Sequence, residues 1–432
     1  MFFVPNSVNQ CDMTPRQFAL SVVEKLQSAN HQAMWAGGCV RDQLLGLQPK
    51  DFDVATSALP EQVRDLFGHH RSIAIGAAFG VITVIGPTSA GQVEVATFRR
   101  DGAYSDGRHP DAVQFTDARE DARRRDFTIN GMFYDPVMER LIDYVGGQDD
   151  LQRRRIRAIG DPHARINEDK LRMLRGVRFA ASFGFELESA TQNAIREHAT
   201  EINLVSPERI GVEMIRMLKH PQRSEAVRLL LATDLLQHVL PPTWFQWEPW
   251  SAELTTASMP ELQRLDSDEF EPAAYLLLRL LFKSWTGPLN PATCSQFLHE
   301  LQHGWRLTNQ QRDRLIWLTG HWQEFAKADT RPWSKIQPLL VHPAKFAGMA
   351  VARAIDGATP GITFCAQRLA WPCQKLDPSP FLSGQDLIAM GIQPGPRFKS
   401  LLQIVRDRQL DGEIRSVAEA QALVLAELKH HL

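Results

Sequence analysis

Gly37-Gly38-Cys39-Val40-Arg41-Asp42, followed nine residues later by Asp51-Phe52-Asp53-Val54-Ala55-Thr56, carries more information than any other part of the 432-residue chain. On a strand, side chains at i and i+2 point to one face about 6.6 Å apart, so Asp51 and Asp53 can converge on divalent ions. Two glycines let backbone N–H groups approach a phosphate, and Arg41 adds a guanidinium. Taken singly, each element is as well read as an ordinary turn or a solvated strand. Together in one short window they point to phosphoryl or nucleotidyl transfer.

Working outward, Thr14-Pro15-Arg16-Gln17 has the order of an N-cap, a proline at the first helical position and a capping-box glutamine. Met34-Trp35-Ala36 reads as a short buried strand, and Val40, Leu44 and Leu45 resume a helical spacing that Gly46 closes. The expected order is helix, strand, glycine turn, helix. A third carboxylate is expected from a neighbouring strand, and Glu94 in Gln92 to Arg99 is the candidate. It follows the apolar strand Val81 to Ile85, ended by Gly86-Pro87.

The motif series GGxxRD, DFD, VEVATFR, RRRDFTIN (Arg123 to Asn130), DYVGGQDDL (Asp143 to Leu151) and EDKLRMLRGVRFA (Glu168 to Ala180) resembles, in its order, the class II tRNA nucleotidyltransferases and the related bacterial poly(A) polymerases. The resemblance is specific over roughly residues 30 to 220 and weaker beyond. It implies an α+β fold, in which a nucleotidyltransferase head with a small mixed β-sheet is followed by a mostly α-helical neck, body and tail. Asp51 and Asp53 would be the metal ligands for Mg²⁺, with Glu94 as a further catalytic carboxylate. Gly37, Gly38, Arg41, Arg124, Arg125, Asp126, Asn130 and Arg175 would bind the incoming nucleotide.

Asp169 and Arg172, three residues apart, are expected side by side on one helical face. Cytosine and adenine both present an exocyclic amine beside an unprotonated ring nitrogen. Guanine and uracil reverse that order of donor and acceptor. Asp169 accepting from the amine and Arg172 donating to the ring nitrogen would fit C and A, while G or U would leave buried polar groups unpaired at about 1–3 kcal/mol each. The resemblance gives this pair that role, and the bland alternative is an i,i+3 ion pair on a solvated helix.

Asp101 to Phe115, with Gly102, Gly107 and Pro110, reads as a loop containing Tyr104 and Arg108. It resembles the flexible loop that accompanies the change from adding C to adding A. Poly(A) polymerases of this group tend to carry basic residues where this chain has Ala77-Ala78, and often a basic C-terminal extension. The expected reaction is therefore template-independent addition of C, C and A to the 3′ end of tRNA from CTP and ATP. The alternative is an A-adding tRNA nucleotidyltransferase or a bacterial poly(A) polymerase.

Composition is that of a soluble globular protein, 44% hydrophobic and 23% charged, and neither a membrane span nor a secretory signal is expected. A cytoplasmic protein follows, with no DNA partner expected. Five cysteines lack metal-site spacing and, being odd in number, argue against a disulfide framework. A net charge of −2 puts RNA affinity into local patches such as Arg172, Arg175 and Arg178. Expected divisions are a catalytic head over 1–148, a base-reading neck over 149–220, a helical body over 221–375 and an RNA-binding helical tail over 376–432. Tryptophans 244, 247 and 250 mark an irregular insert, and prolines within 329–345 and 371–380 mark loops.

Overall fold

The computed structural model describes residues 13–74, 76–102, 112–241, 259–281 and 291–430. They fall into two compact units, one of Met1–Met217 with Glu225–Pro249 and one of Leu218–Ser224 with Trp250–Leu432.

The first unit begins with helix α1 (Pro15–Ser28), whose Thr14–Gln17 capping box forms as expected: Gln17 N donates to Thr14 Oγ1 at 3.3 Å and Thr14 N to Gln17 Oε1 at 2.9 Å. Its buried face, Phe18, Val22, Val23 and Leu26, packs on a sheet. Strands β1 (Ala33–Ala36), β2 (Asp53–Thr56), β3 (Ser72–Ile73), β4 (Val81–Ile85) and β5 (Gln92–Thr97) belong to it. Strands β6 (Arg99–Asp101) and β7 (Val113–Phe115) form a separate pair, and β8 (Phe133–Asp135) and β9 (Arg140–Ile142) complete the large sheet. Its seven strands run in the order β3-β4-β5-β2-β1-β8-β9. The pair β2·β5 is parallel and the other pairs are antiparallel, so the sheet is mixed. Strand β1 is buried along its whole length, and Met34, Ala36, Ala55, Phe98 and Phe133 form the core beneath the site.

Helices α2 (Gly38–Leu44), α3 (Pro60–Phe67), α4 (Ala118–Arg123) and α5 (Gly147–Gln152) connect the strands. Then come α6 (Pro162–Glu168), α7 (Arg172–Phe183), α8 (Ser189–Glu197) and α9 (Pro207–Lys219). The second unit is helical among its described residues. Its C-terminal part packs Leu401 and Val405 of the helix Arg397–Leu410 with Leu387, Ala420 and Val424. One expectation fails here: Trp333–Val341 is a helix with Pro338 inside it, within a stretch expected to be a loop. Burial of Ile336, Leu339 and Leu340 outweighs the one hydrogen bond that a proline removes. The tryptophans of the expected insert lie outside the described residues.

Candidate active site

At the end of β1, Gly37 takes φ 73°, a left-handed value that glycine adopts without strain. A Cβ there would stand 3.0 Å from Arg125 Nη1, so glycine also admits that guanidinium. Helix α2 starts at Gly38 and brings Arg41 inward. Arg41 is buried, donating to Asn130 Oδ1 at 2.6 Å and to Asp42 Oδ1 at 2.7 and 2.8 Å, with its guanidinium 4.7 Å from the Phe183 ring centroid. Much of its hydrogen-bonding capacity is spent on holding the site together.

The strand carrying the two aspartates is shorter than expected. It starts at Asp53, opposite Ala36, and Asp51 lies in the segment before it. Phe52 is buried between them, its ring 4.9 Å from that of Trp35, so the alternation still turns both aspartates away from the core. The parallel register Val54↔Val95 sets Glu94 of β5 beside Asp53. Asp53 opens to the cleft yet is crowded by protein, and its carboxyl is pushed up to about 6, by burial first and then by Glu94, with Asp51 adding and Arg125 opposing. Among the described residues no three His, Cys, Asp or Glu side chains gather closely enough to hold an ion alone. Asp51 and Asp53 line the cleft, and Glu94 does not.

Opposite them, Arg124 and Arg125 share one acid that the sequence reading passed over. Asp121 of α4, 1% exposed, receives Arg124 Nε at 2.8 Å and Arg125 Nη2 at 3.0 Å. Burial would raise its carboxyl, but the two guanidinium charges and their hydrogen bonds outweigh that and hold it below the usual range. Asp126 is engaged in the same way. One oxygen accepts from Arg175 Nε and Nη2 at 2.9 and 2.6 Å, the other from Asn130 Nδ2 and the Phe127 N–H at 3.0 and 2.7 Å. Here too burial pushes up, but Arg175, Asn130 and Phe127 bring the carboxyl down to about 2. Asp126 is thus a strut between the sheet end of the unit and α7.

The helix expected to run through Glu168 to Arg175 is broken. α6 stops at Glu168, Asp169 takes φ −148° and ψ 105°, and α7 starts at Arg172, so Asp169 and Arg172 do not share a helical face. One contribution is local: Asp169 Oδ1 accepts the Leu171 N–H at 3.1 Å, a bond that competes with helix continuation. Its Oδ2 accepts from Arg209 Nη2 of α9 at 2.8 Å. Arg172 donates to the Arg165 carbonyl at 2.9 Å, to the Arg124 carbonyl at 3.1 Å and to Glu168. The two side chains are brought to the same cleft by different supports.

That cleft encloses about 630 Å³, enough for a nucleotide. Gly37, Gly38, Asp51 and Asp53 line one part, Arg124, Arg125, Asp126 and Asn130 another, and Asp169, Arg172, Arg175 and Arg209 a third.

Residues 33–157 match the sequence profile described as the poly A polymerase head domain, and 184–245 that of a probable RNA and SrmB-binding site of polymerase A. Over 408 residues the chain is 30% identical to a CCA-adding enzyme of Latilactobacillus sakei, covering 93% of this chain and 96% of that protein. The chain belongs to the CCA-adding enzyme family. A CCA-adding enzyme of Streptococcus thermophilus is 36% identical over 292 residues, 66% of this chain and 71% of that one. With the Geobacillus relative, identity is 41% but the match spans about half of that protein, 55%, and 52% of this chain. The solved Bacillus stearothermophilus CCA-adding enzyme, in complex with CTP, superposes with a TM-score of 0.76 at 29% identity, covering 97% of this chain and 99% of that one.

A metal ion is implied by this family. The donors fit one: clustered carboxylates that raise one another's affinity for positive charge, with room in the cleft for phosphate oxygens to complete the coordination. Tyr104 and Arg108, expected on the family's flexible loop, lie outside the described residues. Asp121, Glu168 and Arg209 were missed. The first had a signal, since an acid three and four residues before Arg124 and Arg125 on a helix is placed to pair with both. Arg209 lies forty residues from Asp169, and no local pattern links the two.

Proposed function

We propose that this chain adds C, C and A to the 3′ end of tRNA, without a nucleic-acid template, using CTP and ATP. The observation that carries the reading is the alignment of almost the whole chain with a CCA-adding enzyme, since the head alone is shared with poly(A) polymerases. At each step the RNA 3′-oxygen bonds to the α-phosphorus, the bond to the bridging oxygen breaks and pyrophosphate leaves. Asp51 and Asp53 would hold Mg²⁺, which when bound would supply Lewis acidity for the 3′-hydroxyl and the pyrophosphate.

Arg124 and Arg125, fixed by Asp121, face the cleft where the triphosphate charge has to be met. Asp126 fixes Arg175 and Asn130, and Asn130 fixes Arg41. Base choice falls to Asp169 and Arg172. Each Asp169 oxygen uses one acceptor site on protein and keeps another for an exocyclic amine. Of the five N–H groups of Arg172 three are engaged, leaving two for a ring nitrogen. In this reading residues 1–148 are the catalytic head, 149–220 the neck, 221–375 the body and 376–432 an RNA-binding tail. No helix among the described residues is long and apolar enough to cross a membrane, in keeping with a cytoplasmic enzyme.

The test is to incubate the protein with tRNA lacking its three terminal nucleotides. Two additions with CTP alone, none with ATP alone and three with both are expected. Addition of A only to tRNA ending in CC identifies an A-adding enzyme, and long A tracts on unrelated RNA identify a poly(A) polymerase.

A further inference from the structure

Seven arginines line the active cleft, and one differs from the rest. Arg41, Arg124, Arg125, Arg172, Arg175 and Arg209 have side chains 10 to 34% exposed, each bound closely to a carboxylate. Arg216 is 60% exposed, and its nearest carboxylate, Glu213 at 3.4 Å, is farther away than the nearest carboxylate of any of the other six.

Glu213 is already committed. Its side chain is 3% exposed, and one oxygen is bound by Arg178 Nε from α7. One buried carboxylate thus faces two guanidinium groups, and the trio carries a net positive charge. The neighbourhood registers the excess. Arg178 is held below its ordinary value by burial first, partly offset by Glu213, with repulsion from Arg175 and Arg216 adding. Arg216 is the cation that can leave its partner for a ligand, because Arg178 remains to neutralise Glu213.

Resting on the function proposed above, the geometry points to Arg216 as a contact for a phosphodiester of the RNA strand entering the cleft. The nucleotide's needs are met elsewhere: triphosphate at Arg124 and Arg125, base at Asp169 and Arg172. Arg209, which holds Asp169, lies on the same helix as Arg216 but seven residues earlier, two turns or about 10 Å away. A rim cation displaced that far along α9 suits the second substrate, whose 3′ end has to reach the cleft with its phosphates still partly hydrated.

The experiment uses the full chain with Arg216→Gln and Arg216→Lys, and tRNA lacking its three terminal nucleotides. Dissociation constants are read by direct titration over a range of salt concentrations, and KM for CTP and for tRNA by extension. For Arg216→Gln we expect tRNA affinity to fall about tenfold, the slope of log affinity against log salt to shrink by roughly 0.7, and KM for CTP to stay within about twofold. Arg216→Lys is expected to restore most of the affinity and the salt slope. Unchanged tRNA affinity and slope, or a rise in KM confined to CTP, overturns the assignment. The titration needs no turnover, so the two readings fail separately: wild-type protein that does not extend tRNA counts against the proposed function, whereas wild-type extension with unaltered Arg216→Gln binding counts only against Arg216.

Discussion

Aspartates at the two sides of the cleft behave in opposite ways. At the sheet side, Asp53 is pushed up to about 6, by burial first and then by Glu94, with Asp51 adding. At the helical side, Asp121 is held below its usual range and Asp126 at about 2, because arginines outweigh their burial. The same side chain thus serves two purposes. Where carboxylates crowd one another, the protein has left positive charge to be supplied by a ligand; where arginines surround them, it has supplied that charge itself and so fixed the donors in advance.

The contrast breaks most visibly at Asp53. Asp53→Asn relieves repulsion, so thermal stability is expected to hold or rise while nucleotide incorporation, followed with labelled CTP, falls at least about a thousandfold. Activity within tenfold of wild type would remove the distinction. At the helical side the balance is reversed: Asp121→Ala leaves Arg125 without a carboxylate and Arg124 with only the longer contact to Asp101 at 3.6 Å, and is expected to cost about 3 kcal/mol in a denaturant titration.

Asp126 sharpens the contrast through pH. Its folded value lies below the ordinary one, so its contribution is complete above about pH 4 and disappears as pH falls through about 2. From that difference, about 2 kcal/mol is expected to be lost across this window, and unfolding curves of Asp126→Asn are expected to lack that component. A last effect is at Gly37, at the end of β1. Gly37→Ala forces alanine to φ 73° and ψ −126°, a conformation essentially confined to glycine, against the movable tip of Arg125, for a cost of about 2 kcal/mol in the same titration and a modestly raised KM for CTP.

Much of the head was legible because its signals are local. The Thr14–Gln17 box, the glycine pair and the strand Val81–Ile85 each depend on neighbours in sequence, and each formed where expected. The break at Asp169 was not legible, since Glu168-Asp169-Lys170-Leu171-Arg172 contains neither glycine nor proline and fits a helix throughout. What stabilises the break includes Arg209, forty residues further on. Trp333–Val341 failed in the other direction, with proline read as a stop where burial of Ile336, Leu339 and Leu340 carries the helix through.

The Asp126–Arg175 bond bears on how such proteins can be recombined. Its acid comes from the segment after α4 and its base from α7, both within one compact unit, and the acid is buried at the cleft wall. A fragment cut near residue 148 would keep the acid without its base, and a chimaera joined there would ask an unrelated arginine to meet it. Heads exchanged between relatives are therefore expected to travel with their α7, making the inherited module longer than the sheet that gives it its chemistry.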